Sequence, residues 1–317
     1  MRDILDTRVK TAFVFPGQGS QYVGMGKDWY DGSLRGRELF LMANKILGFD
    51  IAKVCFDGPE DHLKQTEVTQ PAIFLHSAVA FSLFDGKTFN AAAGHSLGEY
   101  SALFAAEALD FEHALMLVGL RGRLMQHAGD VRRGTMAAVV GLDELSVEDV
   151  CREVSQTGIV QPANYNSPGQ VVISGDVDAV HKAMELAKSR GAKIVKELVV
   201  SGAFHSPLME AARDELEKAI DAAPFHDAKV PVYANATAMP VRTTGEIKDA
   251  LIRQLTSPVR WRESVVNISN DGVGRFVEIG PGKVLQGLVK RTLSNVETIG
   301  VDRMSDATTS IKIATEG

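Results

Sequence analysis

FNAAAGHSLGEYSALFAA, residues 89–106, changes from a strand pattern to a helix pattern within a few positions. The short apolar run at 89–93 is typical of a buried strand, and the pattern at 97–106 predicts a helix. The turn between them, GHSLG at 94–98, fits G-x-S-x-G, in which small neighbours permit a sharp, strained turn that exposes the serine hydroxyl. The stretch therefore predicts an α/β fold with Ser96 as a candidate nucleophile. A Gly-rich turn without a catalytic role is the alternative.

Strand patterns alternate with helix patterns on both sides of this turn. Strands are predicted at 11–15, which runs into the loop PGQGSQ, and at 230–234 and 275–279. Helices are predicted at 112–127, 207–222, 246–255, 261–269 and 283–293. This alternation favours a mostly parallel sheet covered on both faces, and with the turn at Ser96 it predicts an α/β-hydrolase-like large subdomain.

The segment between Gly134 and Val200 follows a different order, strand, helix, strand, strand, helix, strand. This is the order of a ferredoxin-like unit, which can close its own sheet. We therefore predict an inserted ferredoxin-like small subdomain at 133–200. The large catalytic subdomain is then formed by 1–132 and 201–317.

Composition restricts the functional class. The 317 residues are 45% hydrophobic and 23% charged, as in an ordinary globular protein. A net charge of −6 argues against general nucleic-acid binding. No signal peptide or membrane-length apolar run is visible, so a cytoplasmic protein without membrane contact is expected. Cys55 and Cys151 lack metal-ligand spacing and are interpreted as buried or incidental thiols, and no metal site is expected.

A serine nucleophile needs a base, and histidine is the usual one. Of eight histidines, His205 in SGAFHSP is the best candidate, since it lies among turn residues where the chain returns from the insertion. His95 is expected to fix the turn, and His76 to lie at the edge of the core. The other five lie in charged or helical surroundings typical of structural or solvated histidines.

Arg121 carries a separate signal. On the predicted helix 112–127 it lies on the apolar stripe formed by positions such as Leu117, Val118 and Met125. A guanidinium is always charged and costly to bury without an anion. Arg121 therefore either pairs with a carboxylate of the protein or binds one of a ligand. Arg123, on the opposite side, is interpreted as a solvated residue.

Seven motifs occur in an order known from one family. They are PGQGSQYVGMG, GHSLGEYSAL, VGLRGRLMQ, NYNSPGQVVISG, GAFHSPLM, RQLTSPVRW and EIGPGKVLQGLVKR. In this order the chain resembles the malonyl-CoA:acyl carrier protein transacylases of bacterial type II fatty-acid synthesis, from about residue 10 to 300. It is also similar to the acyltransferase domains of polyketide and animal fatty-acid synthases.

The resemblance implies a role for each matching residue. Ser96 would take the malonyl group as an ester, and His205 would serve as general base and acid. Backbone carbonyls near Gln254 would orient the histidine in place of an aspartate. Gln18 and the backbone N–H of Leu97 would form the oxyanion hole.

The resemblance also implies how the substrate is selected. Arg121 would pair with the free malonyl carboxylate. Phe204 would leave little room for the branch methyl of methylmalonyl. Met125 would line the same pocket or simply fill the core. Asn166 would reach the cleft between the subdomains or stabilise a turn.

The mechanism implied is ping-pong transfer from malonyl-CoA to the phosphopantetheine thiol of acyl carrier protein, without a bound cofactor. A serine esterase or thioesterase, a polyketide acyltransferase and a silent carrier-binding protein are the alternatives. A monomer is expected. Because carrier proteins are strongly acidic, the docking surface is expected to be basic, and the candidates are Lys188, Arg190, Lys193, Lys283, Lys290 and Arg291.

Overall fold

A computed structural model of the chain describes residues 9–84 and 88–307. The first eight residues, whose pattern argued against a signal peptide, lie outside these ranges, as do residues 308–317. Within the described ranges, no helix combines the length and the apolar character needed to cross a bilayer.

Within these ranges, ten strands form two sheets. They are β1 (Thr11–Phe15), β2 (Ala91–Gly94), β3 (Gly134–Val140), β4 (Val160–Ser167), β5 (Gln170–Asp176), β6 (Ile194–Glu197), β7 (Val232–Tyr233), β8 (Pro240–Val241), β9 (Arg275–Ile279) and β10 (Glu297–Val301). The large sheet has the order β10-β9-β1-β2-β7-β8 and is parallel except for the short β8. This confirms the predicted mostly parallel sheet.

Thirteen α-helices are described. They are α1 (Lys27–Gly32), α2 (Leu34–Leu47), α3 (Ile51–Asp57), α4 (Glu60–Leu63), α5 (Thr66–Leu83), α6 (Gly98–Ala105), α7 (Phe111–Val131), α8 (Glu144–Val154), α9 (Val177–Ser189), α10 (Glu210–Ala222), α11 (Thr244–Gln254), α12 (Trp261–Asn270) and α13 (Val284–Thr292). A single 3₁₀ turn at Pro207–Met209 precedes α10, so the helix predicted to begin at Pro207 has a tighter first turn.

Strand β1 lies inside the large sheet, and its sequence after Thr11 is entirely apolar. Successive side chains of a strand point to opposite faces. Phe13 and Phe15 pack into the core on one face, which includes residues of α2, α5 and α7. Ala12 and Val14 pack into the core on the other face, with residues of α12 and α13. Both faces are covered, so no polar residue alternates along the strand.

The smaller sheet is antiparallel and has the order β4-β5-β3-β6, with α8 and α9 packed on one side. This order confirms the ferredoxin-like unit. It joins the large subdomain through Val259, whose N–H donates to Ala163 O at 2.8 Å and whose carbonyl accepts from Tyr165 N at 2.9 Å. The middle of β4 therefore pairs with the segment between α11 and α12.

Parallel strands place two candidate residues and Asn235 at one edge of the large sheet. Gln18 follows β1, Ser96 follows β2 and Asn235 follows β7, and these three strands are neighbours. In an open α/β sheet, the carboxyl ends of the strands border the crevice where ligands bind. The topology therefore brings together residues that are far apart in sequence.

Candidate active site

Ser96 lies in the turn between β2 and α6 with a positive φ of 51°. A non-glycine residue in this region is strained and must be held by its surroundings. A Cβ at Gly94 would overlap the carbonyl of Gly98, and a Cβ at Gly98 would overlap the carbonyl of Phe15. The two glycines are therefore required by close backbone approach, as the sequence pattern predicts.

Asn235 holds the strained turn. Its Oδ1 accepts from the backbone N–H of Ser96 at 2.6 Å, and its Nδ2 donates to Gly94 O at 2.6 Å. Both backbone groups are thus satisfied on either side of the serine. Sequence reasoning did not single out Asn235, and only its place after a strand pattern could have indicated it.

The side chain of Ser96 meets His205. Its Oγ lies 2.8 Å from Nε2 of the imidazole. Nδ1 of the imidazole donates to the carbonyl of Gln254 at 2.9 Å, which leaves Nε2 as the acceptor for the hydroxyl proton. The structure therefore brings the predicted nucleophile and base into hydrogen-bond contact, with a carbonyl in the place an aspartate takes in a triad.

The environment of His205 favours the neutral imidazole. Burial, and then the positive charge of Arg121, lower its pKa to about 3. His205 also has a positive φ of 57°. Its carbonyl accepts from Gln161 Nε2 at 2.9 Å, and this hydrogen bond helps to hold the backbone in that conformation. The imidazole is thus available as a proton acceptor at neutral pH.

Arg121 is almost completely buried, with 1% of its surface exposed. Its Nη1 donates to Gln70 Oε1 at 2.7 Å, and Nη2 donates to Gln254 Oε1 at 2.9 Å and to Ser96 Oγ at 3.0 Å. Within the described ranges, Nε has no partner and no carboxylate lies within ion-pair distance. Of the two alternatives left open by the sequence, an internal ion pair is therefore absent among the described residues.

Glu99 is a buried acid close to this group. Its Oε2 accepts from the backbone N–H of Asn235 and from Gln254 Nε2, each at 2.9 Å. Burial raises the pKa of this carboxyl to about 7, against the lowering effect of those two hydrogen bonds and of Arg121. Neither Glu99 nor Gln70 was identified from the sequence as part of the site.

The two residues expected to form the oxyanion hole lie at the ends of β1 and β2. The side-chain amide of Gln18 donates to Thr66 Oγ1 at 3.3 Å. Leu97 is the N-cap of α6, where backbone N–H groups lack helical acceptors. Neither backbone N–H has a hydrogen-bond partner in the part of the chain that the structure describes.

Three further candidate residues surround the site at different distances. Phe204 is 5% exposed and directly precedes His205. Met125 is buried, and its Sδ accepts from Nε2 of Gln70, the residue that also contacts Arg121. Asn166 lies on β4, where its Oδ1 accepts from His95 Nε2 at 2.8 Å. This contact ties the small sheet to the turn that carries His95 and Ser96.

Together these groups can carry out acyl transfer. A hydroxyl faces a neutral imidazole, the N-terminus of α6 follows it directly in the chain, and a buried cation contacts the same oxygen. The arrangement fits an acyl group that carries an anion of its own.

Comparison with known proteins agrees with this geometry. A model of the acyl transferase domain family matches residues 12–310. The malonyl CoA-acyl carrier protein transacylase of Bacillus subtilis (strain 168) is 45% identical over 295 residues, covering 92% of this chain and 93% of the relative. The transacylase structure from Coxiella burnetii superposes with a TM-score of 0.93 at 40% identity, covering 97% of this chain and 98% of the other.

A second solved structure contains a malonyl-transacylase in complex with its type II polyketide synthase acyl carrier protein. It superposes with a TM-score of 0.92 at 41% identity, covering 96% of this chain and 99% of the other. The chain therefore belongs to the acyl transferase domain family, alongside malonyl CoA-acyl carrier protein transacylases.

Proposed function

We propose that this enzyme transfers the malonyl group from malonyl-CoA to the phosphopantetheine thiol of acyl carrier protein, which supplies malonyl-carrier for fatty-acid elongation. The relatives' activity supports the reaction class. The observation that carries the substrate is Arg121, a buried guanidinium with no carboxylate partner in the described ranges, in contact with Ser96 Oγ.

The first half-reaction forms an ester. His205 Nε2 takes the proton of the Ser96 hydroxyl as Oγ bonds to the thioester carbon. The developing oxyanion is stabilised by the backbone N–H groups of Gln18 and Leu97. The carbon–sulfur bond then breaks, and the imidazolium returns its proton to the CoA thiolate.

The second half-reaction reverses these steps with a different thiol. His205 takes the proton of the phosphopantetheine thiol, whose sulfur attacks the malonyl ester. Collapse of the tetrahedral intermediate breaks the bond to Oγ, which recovers the proton from the imidazolium. The bonds made and broken balance without any metal or bound cofactor.

Arg121 selects the acyl group in this proposal. In a malonyl ester, the free carboxylate lies only a few bonds from Oγ, so a guanidinium in contact with Oγ is within its reach. A charge-assisted pair would satisfy the unpartnered Nε. An acetyl group offers no such partner and leaves the buried cation uncompensated. Phe204, beside the base, is proposed to exclude a branch methyl.

Carrier docking is proposed on basic residues. Lys290 and Arg291 lie exposed in the last turn of α13, and Lys188 and Lys193 are exposed on the small subdomain. Arg190 already pairs with Glu153 and is a weaker candidate. The monomeric state, the cytoplasmic location and the subdomain boundaries given above stay predictions.

Replacing Ser96 by Ala tests the nucleophile. The variant keeps the turn but lacks Oγ, so incubation with malonyl-CoA is expected to give no mass increase in intact-protein mass spectrometry, whereas the unaltered enzyme gains one malonyl group. Thermal melting of both proteins controls for folding. A malonyl adduct of equal yield on the variant would contradict the proposed role of Ser96.

A further inference from the structure

Glu99 is a buried acid that no step of the proposed reaction uses. It lies in the first turn of α6, three residues after Ser96, and is 1% exposed. No cation lies within ion-pair distance of it in the described ranges. Burying a carboxyl group is costly unless its oxygens are hydrogen-bonded. The partners of its Oε2, Asn235 N–H and Gln254 Nε2, therefore indicate what it is for.

Gln254 contacts all three principal groups of the site. Its Nε2 donates to the carbonyl of Ser96 at 2.9 Å and to Glu99. Its Oε1 accepts from Arg121, and its backbone carbonyl accepts from His205. One side chain thus links the guanidinium to the turn that carries the nucleophile.

The orientation of the Gln254 amide follows from these partners. A rotation of the amide by half a turn would place its NH₂ against the N–H groups of Arg121. The same rotation would place Oε1 against the carbonyl of Ser96 and the carboxyl of Glu99, which are both acceptors. Glu99 and Ser96 O together therefore specify which end of the amide faces Arg121.

We propose that Glu99 is a positioning residue, which acts as a hydrogen-bond acceptor to orient the Gln254 amide and thereby holds the Arg121 guanidinium against Ser96. The proposal rests on the proposed function, since it assigns Glu99 to recognition of the malonyl carboxylate. It acts through Gln254 and does not touch the acyl group.

A second contact of Glu99 has a different expected consequence. Glu99 also accepts from the backbone N–H of Asn235. It thereby supports the Asn235 clamp, the two hydrogen bonds by which the Asn235 side chain holds Ser96 N and Gly94 O. A disturbance of that clamp would slow transfer of any acyl group equally. The ratio of malonyl to acetyl transfer, each measured as kcat/KM, therefore isolates the route through Gln254 and Arg121.

The test compares Glu99→Met, which fills the space without an acceptor of comparable strength, with Glu99→Gln, which keeps one. Glu99→Met is expected to lower the malonyl-to-acetyl ratio by about 10- to 100-fold, the factor typical of losing a buried hydrogen bond to a charged group. Glu99→Gln is expected to keep the ratio within about threefold, because its Oε1 can take the place of Oε2.

A double-mutant cycle with Gln254→Ala completes the test. In the Gln254→Ala background, Glu99→Met is expected to leave the malonyl-to-acetyl ratio unchanged, because the amide that Glu99 orients is absent. Losses that add in the double variant, or a Glu99→Gln variant as impaired as Glu99→Met, would overturn the proposal. Thermal melting identifies variants that do not fold, and Glu99→Gln keeps the proposal testable if Glu99→Met is one of them.

Measurements on the unaltered enzyme distinguish a failure of the proposed function from a failure of the proposed role of Glu99. If it does not transfer malonyl to the carrier, the proposed function is wrong whatever the variants do. If it transfers malonyl and the losses are additive, only the role of Glu99 is wrong.

Discussion

At the scale of single residues, Arg121 is the group whose burial is hardest to explain without a ligand. Three of its contacts are to neutral acceptors, namely Gln70, Gln254 and Ser96. Neutral partners compensate a buried charge less than a carboxylate does. In the proposed function, the site therefore gains most from an anion that arrives with the acyl group.

Replacing Arg121 by Ala is expected to lower kcat/KM for malonyl transfer by about 30- to 5000-fold, the range for removing one partner of a buried charged pair. Acetyl transfer should change by less than about tenfold, because that acyl group has no carboxylate to lose. Parallel assays with malonyl-CoA and acetyl-CoA measure both. Arg121→Lys, which keeps the charge but not the planar fork, is the matched control. Equal losses for the two substrates would contradict carboxylate recognition.

His205 predicts an unusual pH dependence. Its pKa is lowered to about 3 by burial and by Arg121, so the active neutral form should persist well below the ordinary histidine range. The rate of Ser96 acylation, as kcat/KM, should therefore show no loss assignable to this imidazole between about pH 5 and 8. Because the pKa of Glu99 is about 7, the profile is also measured in Glu99→Gln, which removes that carboxyl group. A fall in kcat/KM with an apparent pKa near 6.5 that persists in this variant would contradict the lowered pKa of His205.

The lowered pKa of His205 should also make the free energy of unfolding depend on pH. Between about pH 3 and 6.5 the unfolded chain binds a proton that the folded imidazole does not, so this group's contribution to stability is lost as pH falls through that window. Glu99 acts oppositely. Its folded pKa of about 7 lies above the unfolded value, so its contribution is lost as pH rises towards 7.

The sequence predicted the positions of single residues well where a local sequence pattern determines them. The glycines at 94 and 98 flank Ser96, and the helical period alone places Arg121 on a buried face. It did not predict Asn235, because a two-residue strand brings that side chain to a turn 139 positions away. His76, expected at the edge of the core, is fully buried and bonds Asp302 O, 226 positions away.

At the scale of elements, the turn between β2 and α6 depends on the absence of a side chain at Gly98. Replacing Gly98 by Ala should destabilise the fold by about 1–3 kcal/mol or more, because the added methyl would overlap the backbone of Phe15 and nothing there can move away easily. Denaturant unfolding measures the change, and acyl transfer should be lost with it.

Gly245→Ala is the matched control for this substitution. Gly245 lies exposed in α11, and an added Cβ there meets nothing within 4 Å. An alanine in a helix is typically more stable than a glycine by about 0.5–1 kcal/mol, so this variant should be neutral or stabilised. If both substitutions had the same effect on stability, close packing at the turn would not explain the glycine at 98.

One of the elements that sequence reasoning missed lacks a clear period. Helix α5 is buried on almost every side from Thr66 to Ala80 and contains Pro71, so neither an apolar stripe nor an uninterrupted helical pattern marks it. Strand β7, by contrast, was predicted at 230–234 and is shorter in the structure, Val232–Tyr233. Its pairing with β2 and β8 comes from the sheet as a whole.

At the scale of the whole molecule, the candidate active site depends on contacts between the two sheets. The large sheet carries Ser96 at the end of β2, and the small sheet contributes Asn166 to His95 and Gln161 to the carbonyl of His205. The order of elements predicted both sheets. It could not predict how they dock, because that depends on side chains such as Asn166 that satisfy partners in the other subdomain.

The most direct test of the account is mass spectrometry of the enzyme with malonyl-CoA, before and after addition of phosphopantetheinylated acyl carrier protein. The account predicts a malonyl mass on the peptide that contains Ser96, followed by its transfer to the phosphopantetheine of the carrier. An adduct that decays to free malonate equally fast without the carrier would show that water is the acceptor, and would contradict the central claim.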